Sequence, residues 1–323
     1  MSPANRYSID NLKASPYVPQ RWPITRKGQN MSAEEGVDFL ERQTWLEPVE
    51  SGLQKGVAKV FASGRSGRQV QNFLHGTWLG HPLHPVLTDI PLGAWTATLV
   101  LDILEASGRR DCKAGADVTL QVGLAGAACA AVAGLTDWHA TDGKARRVGL
   151  VHGLLNLVGT GLYTASLLSR RRNDRVAGRA FAFAGFLAAA TSAYLGGELV
   201  YGEQIGVNHA ASEPEIKEWT AALNESELAD GKPHRASVNG SRVLLVRTDS
   251  GIHCIGEVCS HLGGPLAEGE LRDDTVTCPW HASCFSLQDG SVIDGPATHP
   301  QPCYDTRVND AGQVEIRSVS AQE

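Results

Sequence analysis

The sequence predicts an α + β multidomain protein in which a four-helix transmembrane bundle is followed by a small all-β domain. The middle of the chain contains four apolar stretches rich in Ala, Gly, Leu and Val, which predict the helices. Short runs of strand-forming residues, separated by turn residues, follow from position 235 and predict the strands. The length of 323 residues suits two domains, since about 150 residues per domain is typical.

Each apolar stretch is long enough to cross a membrane as a helix. The stretches cover residues 86–105, 117–138, 150–169 and 180–201. A helix of about twenty residues spans a hydrocarbon core of about 30 Å. A soluble four-helix bundle would present one charged face on each helix, whereas these stretches are apolar or small on all sides. We therefore predict a four-span membrane domain over residues 71–207 and a multi-pass location in the cell membrane.

Polar segments flank the predicted spans. Residues 1–70 contain a polar lead and stretches with helical spacing, which either lie on a membrane surface or pack on a neighbouring element. We predict an acidic linker over 208–234 and the all-β domain over 235–320. The net charge of -6 gives no electrostatic footprint for nucleic acid, so no nucleic-acid partner is expected. Seven irregularly spaced cysteines argue against a disulfide scaffold.

Two short motifs in the predicted β domain each pair one thiol with one imidazole. Cys259 stands two residues before His261, and Cys278 stands three residues before His281. Zn²⁺ is one candidate metal, although zinc fingers group Cys with Cys and His with His. The pattern C-x-H followed by C-P-x-H, with HLGGPL and CPWHASCF around it, closely resembles the Rieske family. The resemblance implies a [2Fe–2S] cluster in which the cysteines bind one iron and the histidines bind the other.

Two departures from the Rieske pattern bear on the expected reduction potential. High-potential members place a disulfide across the two loops, and this chain has Gly264 and Trp280 at those positions. A Ser and a Tyr donate hydrogen bonds to the cluster in the same group; Ser283 matches the Ser, whereas Phe285 replaces the Tyr. Fewer donors stabilise the reduced cluster less, so we expect a potential nearer the ferredoxin type. Pro296 resembles the proline of the loop that covers the cluster.

The segment from His75 to Trp95, HGTWLGHPLHPVLTDIPLGAW, resembles an uncharacterised bacterial family of four-helix membrane domains with a G-H-P-L-H-P signature. This resemblance supports the four spans and implies no particular chemistry. An oxygenase catalytic subunit would carry a mononuclear iron domain with two His and one carboxylate after the Rieske domain. The sequence ends soon after His281, so an oxygenase catalytic subunit is not expected.

Ionisable residues lie near the predicted ends of the spans, towards the membrane face that carries both termini. The candidates are His81, His84, Asp89, His152 and Glu198. Charged groups in a bilayer are costly and usually mark a functional site, so a quinone headgroup and a b-type haem are candidate ligands. Solvation of helix ends by headgroup water is the alternative. His84 and His152 form the preferred pair, whereas His75 and His209 are expected at the surface.

These features favour a membrane-bound Rieske iron–sulfur protein that carries single electrons between a redox partner and a membrane acceptor or donor. The chain has no dinucleotide-binding G-x-G-x-x-G, Walker loop or nucleophile elbow. The expected partner is therefore a soluble reductase or oxidase, or a respiratory-chain component, with membrane lipid around the spans. One alternative is a quinol or quinone oxidoreductase acting within the chain. Another is a membrane-anchored redox sensor without turnover.

Two criteria disagree on which side of the membrane the Rieske domain occupies. Basic residues concentrate in the loops GRRDCK and SRRRNDR, and positive-inside counting places those loops in the cytoplasm and the Rieske domain outside. Unpaired cysteines and the missing loop disulfide suit a reducing compartment. We favour a cytoplasmic Rieske domain on the second criterion.

Overall fold

The computed structural model describes residue 39 and residues 42–61 and 64–319, which divide into two compact units. The helical unit contains the described residues up to 61 together with residues 82–204. The β unit contains residues 64–81 together with residues 205–319. The N-terminal lead predicted within residues 1–70 lies largely outside the described residues.

Within the described residues, the helical unit contains four long helices preceded by a shorter one. In chain order the helices are α1 (Glu47–Phe61), α2 (Gly64–His75), α3 (Leu83–Ala106), α4 (Lys113–Trp138), α5 (Gly143–Arg171) and α6 (Arg175–Gly197), of which α2 belongs to the β unit. Helices α3 to α6 are each long and apolar enough to cross a membrane, by length and composition. The four predicted apolar helices are therefore confirmed.

The four long helices repeat one hairpin arrangement twice. Facing residues on α3 and α5 form three pairs, and in each pair the two residues are 68 positions apart in the sequence. The pairs are His84 with His152, Trp95 with Tyr163, and Asp102 with Arg170. Because equivalent residues contact each other, an approximate twofold axis through these pairs relates the hairpin α3–α4 to the hairpin α5–α6.

Glycines on the second helix of each hairpin make room for the large rings on this axis. Trp95 and Tyr163 stack with ring centroids 4.0 Å apart. A Cβ on Gly123 would lie 2.2 Å from the ring nitrogen of Trp95, and a Cβ on Gly185 would lie 3.0 Å from the ring of Tyr163. Small residues at helix contacts are expected in a membrane, because close packing replaces the hydrophobic effect between helices there.

A buried ion-pair network closes one end of the bundle. Arg170 contacts Asp102, and its guanidinium also lies 3.1 Å from the carboxylate of Asp117. Arg175 lies 2.5 Å from the same Asp117 carboxylate and contacts Glu105. Pairing is required here because an isolated charge in apolar surroundings is strongly disfavoured. The network joins all four long helices, since each of them contributes at least one member.

Helix α1 is attached to the other end of the bundle by buried polar contacts. Its Glu50 is completely buried and accepts a hydrogen bond from Nε of Arg147 at 3.2 Å. Its Gln54 donates to the backbone carbonyl of Thr141 at 2.9 Å. Of the two alternatives for the helical stretches before the spans, packing on a neighbouring element is the one observed for α1.

The described strands of the β unit form two antiparallel sheets. In chain order they are β1 (Thr220–Asn224), β2 (His234–Val238), β3 (Ser241–Thr248), β4 (Gly251–Gly256), β5 (Glu270–Arg272), β6 (Thr275–Thr277), β7 (Cys284–Ser286), β8 (Val292–Asp294), β9 (Cys303–Val308) and β10 (Gln313–Ser318). The larger sheet has the order β1-β10-β9-β4-β3-β2, and the smaller has the order β5-β6-β7-β8. The predicted small all-β domain is therefore confirmed.

The larger sheet is buried on both faces, which explains the continuous apolar run in β3. Leu244 and Val246 pack into one hydrophobic cluster, whereas Val243 and Leu245 pack into another. Successive side chains of a strand point to opposite faces, so the run supplies both clusters. The first cluster also contains the cysteines of the two metal-binding motifs. The packing that joins the two sheets therefore also positions the candidate thiolate ligands.

Two segments of the β unit lie outside the range predicted for the β domain. Strand β1 lies in the predicted linker 208–234, where it pairs with β10, and Ile216 just before it is buried in the core. Helix α2 and the turn that follows it to His81 pack with the β unit, although the membrane domain was predicted to start at residue 71. Both segments join the unit through long-range contacts, which local sequence patterns do not encode.

Candidate functional site

The two predicted metal-binding motifs form two loops in the β unit. The first loop follows β4, and the second connects β6 to β7. In the first loop, the N–H of Cys259 donates to the carbonyl of Gly264 at 2.9 Å, and the N–H of Gly263 donates back to Cys259 at 2.8 Å. In the second loop, the N–H of Cys278 donates to the carbonyl of Ser283 at 2.8 Å. Each cysteine is therefore held by a closed backbone turn.

The fold brings the four predicted ligands into two adjacent pairs. The thiols of Cys259 and Cys278 are hydrogen-bonded to each other and buried. The rings of His261 and His281 lie with their centroids 5.1 Å apart and their planes at 81°. One pair of thiols beside one pair of imidazoles suits a binuclear cluster with two protein ligands per iron.

The surroundings of the thiols suit iron-bound thiolates. The backbone N–H groups of His261 and Leu262 donate to the sulfur of Cys259, and equivalent donors of the second loop point to Cys278. Burial raises the pKa of the Cys259 thiol, whereas the hydrogen bond from Cys259 lowers the pKa of the Cys278 thiol. A Cβ on Gly264 would lie 2.7 Å from the sulfur of Cys278, so any larger residue at this position would collide with the thiol. Donors to sulfur stabilise the anionic form that a metal requires.

The second loop is tied to the segment that contains Pro296. Ser283 is completely buried, and its hydroxyl oxygen accepts a hydrogen bond from the backbone N–H of Ala297 at 3.0 Å. Phe285 is also completely buried and has no group that can donate to a cluster. All seven cysteines lie in the described part of the chain and are free, so no disulfide joins the two loops.

Further histidines surround the motif histidines. His75 and His209 lie close enough to His261 to act on it electrostatically. The expectation that His75 lies at the surface is wrong, because it is only 1% exposed. Its burial results from the packing of α2 against the β unit, where a Cβ on Gly295 would lie 3.1 Å from the His75 ring. No local sequence signal identifies His75, since the contact joins segments far apart in the chain.

In the helical unit, the structure brings two of the predicted polar residues together. The rings of His84 and His152 lie with their centroids 6.2 Å apart and their planes at 90°. Nδ1 of each ring lies 2.8 Å from a backbone carbonyl in the second helix of its own hairpin, at Ala130 and Ser192. A carbonyl only accepts, so a neutral ring in this position carries its proton on Nδ1 and a lone pair on Nε2. The lone pair of His152 accepts from the amide of Asn156 at 3.1 Å.

The other three predicted residues of the membrane site are not part of this facing pair of rings. His81 belongs to the β unit, where it faces His299 with ring centroids 5.6 Å apart. Glu198 begins a short π-helical turn after α6. Asp89 is exposed on α3. Of the five predicted residues, His84 and His152 are therefore the two whose rings the structure shows facing each other, and they lie on the approximate twofold axis.

Comparison with known proteins matches two regions of the chain. Residues 218–305 match the Rieske [2Fe-2S] domain family. Residues 80–209 match a family described as a predicted membrane protein (DUF2231). The two matches fall largely within the β unit and the helical unit, respectively. Both resemblances drawn from the sequence motifs are thereby confirmed.

Similar proteins match the C-terminal region. The 3-phenylpropionate/cinnamic acid dioxygenase ferredoxin subunit of Escherichia coli O139:H28 (strain E24377A / ETEC) is 36% identical over 81 residues, which cover 25% of this chain and 76% of that protein. The cytochrome bc1 complex Rieske iron-sulfur subunit of Streptomyces lividans is 41% identical over 66 residues, which cover 20% of this chain and 39% of that protein. Apoptosis-inducing factor 3 of Homo sapiens is 31% identical over 94 residues, which cover 29% of this chain and only 16% of that protein.

Proposed function

Because this chain belongs to the Rieske [2Fe–2S] family through its C-terminal domain, we propose that it carries single electrons between a redox partner and an acceptor or donor in the membrane. The arrangement of Cys259, His261, Cys278 and His281 in two adjacent pairs carries this proposal. When bound there, a [2Fe–2S] cluster supplies a reversible one-electron carrier. The residues of the chain then set how firmly the cluster is held and which redox state is favoured.

The residues near the cluster have separate tasks in this proposal. Cys259 and Cys278 hold one iron, and the loop N–H groups that point to their sulfurs stabilise the negative charge. His261 and His281 bind the other iron through neutral imidazoles. The hydroxyl of Ser283 accepts a backbone N–H and so retains its own proton for donation towards the site. The two closed loops exclude water from the sulfurs, which are buried.

The pair His84 and His152 is the proposed site for the membrane acceptor or donor, either a quinone headgroup or a b-type haem. The rings face each other across the axis of the repeat, and the bonds to backbone carbonyls orient Nε2 of each ring away from the carbonyls. Nε2 of His84 is the proposed binding atom, whereas Nε2 of His152 accepts from Asn156 and must exchange this bond to bind a ligand. His84 is the second residue of α3, a position close to one membrane face. This pair also favours a second candidate function, which is quinol or quinone oxidoreduction within the chain.

The redox partner is proposed to be a soluble reductase or oxidase, or a respiratory-chain component. The relatives named as subunits of a dioxygenase and of the cytochrome bc1 complex support a protein partner. We also propose a cytoplasmic Rieske domain. The seven free cysteines support a reducing compartment, since disulfides form and persist in oxidising ones.

Spectroscopy of the full chain tests the cluster assignment. The protein is purified in detergent, reduced with dithionite and measured by electron paramagnetic resonance, with iron and labile sulfide determined in parallel. We expect the signal of a mixed-ligand [2Fe–2S] cluster and equal amounts of iron and labile sulfide. Visible spectra show whether haem is present. Zinc in place of iron and sulfide contradicts the proposal.

A flux assay then tests the membrane site. Electron flow from a chemical donor to a soluble quinone analogue is measured in proteoliposomes. We expect His84→Ala and His152→Ala each to reduce the flow by about tenfold or more while the cluster signal is retained. His234→Ala, which removes a histidine from β2, serves as the matched control and is expected to leave the flow unchanged. Undiminished flow in both bundle variants contradicts the site, and a wild type without flow from any donor favours the redox sensor.

A further inference from the structure

Helix α2 has one face that holds the β unit by hydrogen bonds. The side-chain amide of Asn72 donates to the carboxylate of Asp294 at 2.8 Å and accepts from the backbone N–H of Gly295 at 3.0 Å. Gly295 directly precedes Pro296, so α2 is bonded to the segment that the Rieske resemblance assigns to covering the cluster. The ring of His75 is buried against the same segment. Helix α2 and this segment are therefore held together by hydrogen bonds and by packing.

The exposed side of the same region carries large apolar side chains. Val70, Phe73, Trp78 and Leu79 are between 37% and 60% exposed, and these four residues are called the apolar ridge below. The rings of Phe73 and Trp78 stack with centroids 5.6 Å apart and planes at 10°. The indole N–H of Trp78 donates to the carbonyl of Phe73 at 3.2 Å, which fixes the stack. Contiguous exposed apolar residues of this size mark an interaction surface.

The apolar ridge precedes the first candidate span by a few residues in the sequence. Leu79 precedes Leu83, the first residue of α3, by four positions. An extended chain of that length covers at most about 14 Å, whereas the headgroup layer is roughly 5–8 Å thick on each side of the hydrocarbon core. Trp is enriched at this depth, and the exposed Arg65 and Arg68 on α2 suit anionic headgroups. The short tether therefore keeps the ridge within reach of the headgroup layer.

We propose that residues 64–81 form an interfacial anchor whose apolar ridge inserts into the headgroup layer of the membrane. Through Asn72 the anchor holds the segment of Pro296 at the lipid surface, so the β unit keeps a fixed orientation to the membrane normal. This inference goes beyond electron carriage, because it assigns a lipid-binding surface to the Rieske unit. It makes that unit a docked electron carrier rather than a freely rotating one.

Oriented multilayers of the full chain test the anchor. The protein is reconstituted into bilayers of phosphatidylethanolamine and phosphatidylglycerol, reduced with dithionite and measured by electron paramagnetic resonance at several angles to the membrane normal. A docked unit gives cluster resonances whose amplitudes vary with the angle, whereas a freely rotating unit gives constant ones. We expect the variation in the wild type and its loss in the double variant Phe73→Asp/Trp78→Asp, with cluster content unchanged.

A control and a second variant keep this test decisive. Val308→Asp changes an apolar residue of β9 that is 43% exposed, and it is expected to retain the angular variation. If the double variant assembles no cluster, Val70→Asp alone replaces it, since Val70 lies on the exposed side of the helix. The anchor proposal is wrong if the cluster resonances of the wild type do not vary with the angle, or if those of a ridge variant still do.

Brominated lipids identify what covers the apolar ridge. Tryptophan fluorescence of the wild type minus that of Trp78→Phe isolates the contribution of Trp78. We expect bromine placed in the upper acyl chain to quench this difference signal. An unquenched signal together with retained angular variation would show that a protein surface covers the ridge, and the lipid anchor would then be wrong.

Discussion

Two pairs of facing imidazoles, one in each unit, have similar geometry and different surroundings. The rings of His261 and His281 lie 5.1 Å apart at 81°, and those of His84 and His152 lie 6.2 Å apart at 90°. The first pair stands on loops beside two buried thiols, and backbone turns within each loop set its position. The second pair stands on helices, and carbonyls of neighbouring helices set its position.

This difference shows that the two sites depend on different ranges of contact along the chain. Each loop of the first site is closed by bonds between residues a few positions apart, and the packing of the two sheets brings the two loops together. The helix site needs two hairpins in register, and it needs Gly134 and Gly196, whose missing Cβ atoms would lie 2.8 Å and 3.2 Å from the rings of His84 and His152. We therefore expect loop substitutions to abolish the cluster and bundle substitutions to act through helix packing.

The largest effect is expected from Cys278→Ser, which replaces a thiolate ligand by a hydroxyl that binds iron poorly. We expect complete loss of the cluster signal and of labile sulfide in membranes, because a [2Fe–2S] cluster needs all its protein ligands. Cys284→Ser, on β7 in the same region, is the matched control and is expected to keep the full signal. Retention of the cluster in Cys278→Ser would contradict the assignment of Cys278 as a cluster ligand.

A large effect on stability is expected from Asp102→Asn in the bundle. The substitution removes the buried carboxylate from Arg170 and leaves the partly exposed Asp117 as its acidic partner, so we expect a loss approaching the cost of about 3–5 kcal/mol for breaking a buried pair. Thermal unfolding in detergent, followed by circular dichroism, measures the loss. Asp111→Asn breaks the exposed pair with Arg109 and is expected to leave the unfolding temperature unchanged. Equal unfolding temperatures for both variants would show that the network does not hold the bundle.

The two glycines beside the histidine pair are expected to differ in effect. Gly134→Ala forces its new Cβ against the His84 ring, and overpacking of this kind costs about 1–3 kcal/mol. Gly196→Ala is expected to cost less, because its Cβ is farther from the ring of His152. Unfolding in detergent measures both. Gly93→Ala, where a Cβ would meet no atom within 4 Å, is the control and is expected to be neutral or stabilising. A larger loss of stability in Gly196→Ala than in Gly134→Ala would contradict the assigned packing of the helices around the two histidines.

The smallest effects are expected from the hydrogen-bond donors at the cluster. Ser283→Ala removes a buried hydroxyl and is expected to lower the midpoint potential. Phe285→Tyr adds a donor and is expected to raise it. Each shift is on the order of 60 mV, which corresponds to a tenfold change for one electron. Redox titration followed by electron paramagnetic resonance measures both, with Ser286→Ala on β7 as the control. A rise in Ser283→Ala would exclude donation from this hydroxyl.

Residue type and spacing were enough to predict the two metal-binding motifs and the long apolar helices. The motifs are local, because the turns around Cys259 and Cys278 close within each loop. The repeat in the bundle was not predicted. Trp95 and Tyr163 differ in residue type, as do Asp102 and Arg170, although their spacing from the preceding histidine is identical. Only the shared spacing is a sequence signal for the repeat.

Long-range contacts explain the features that were missed in the β unit. Strand β1 lies in an acidic segment, and it is a strand because β10 offers an unpaired edge to it. His75 lies in a segment that resembles a membrane domain, and it is buried because Asn72 on the same helix binds the backbone near Pro296. Neither contact leaves a local pattern, since the partners are far apart along the chain.

Amino-acid chemistry over short distances was sufficient to predict the candidate metal-binding motifs, the membrane-spanning composition of α3 to α6 and the all-β character of the C-terminal domain. Packing was needed to pair His84 with His152 and to join α2 to the β unit. The physical reason is the range of the interactions. Hydropathy and loop turns act over a few residues, whereas helix register and sheet edges depend on segments that meet only in the folded chain.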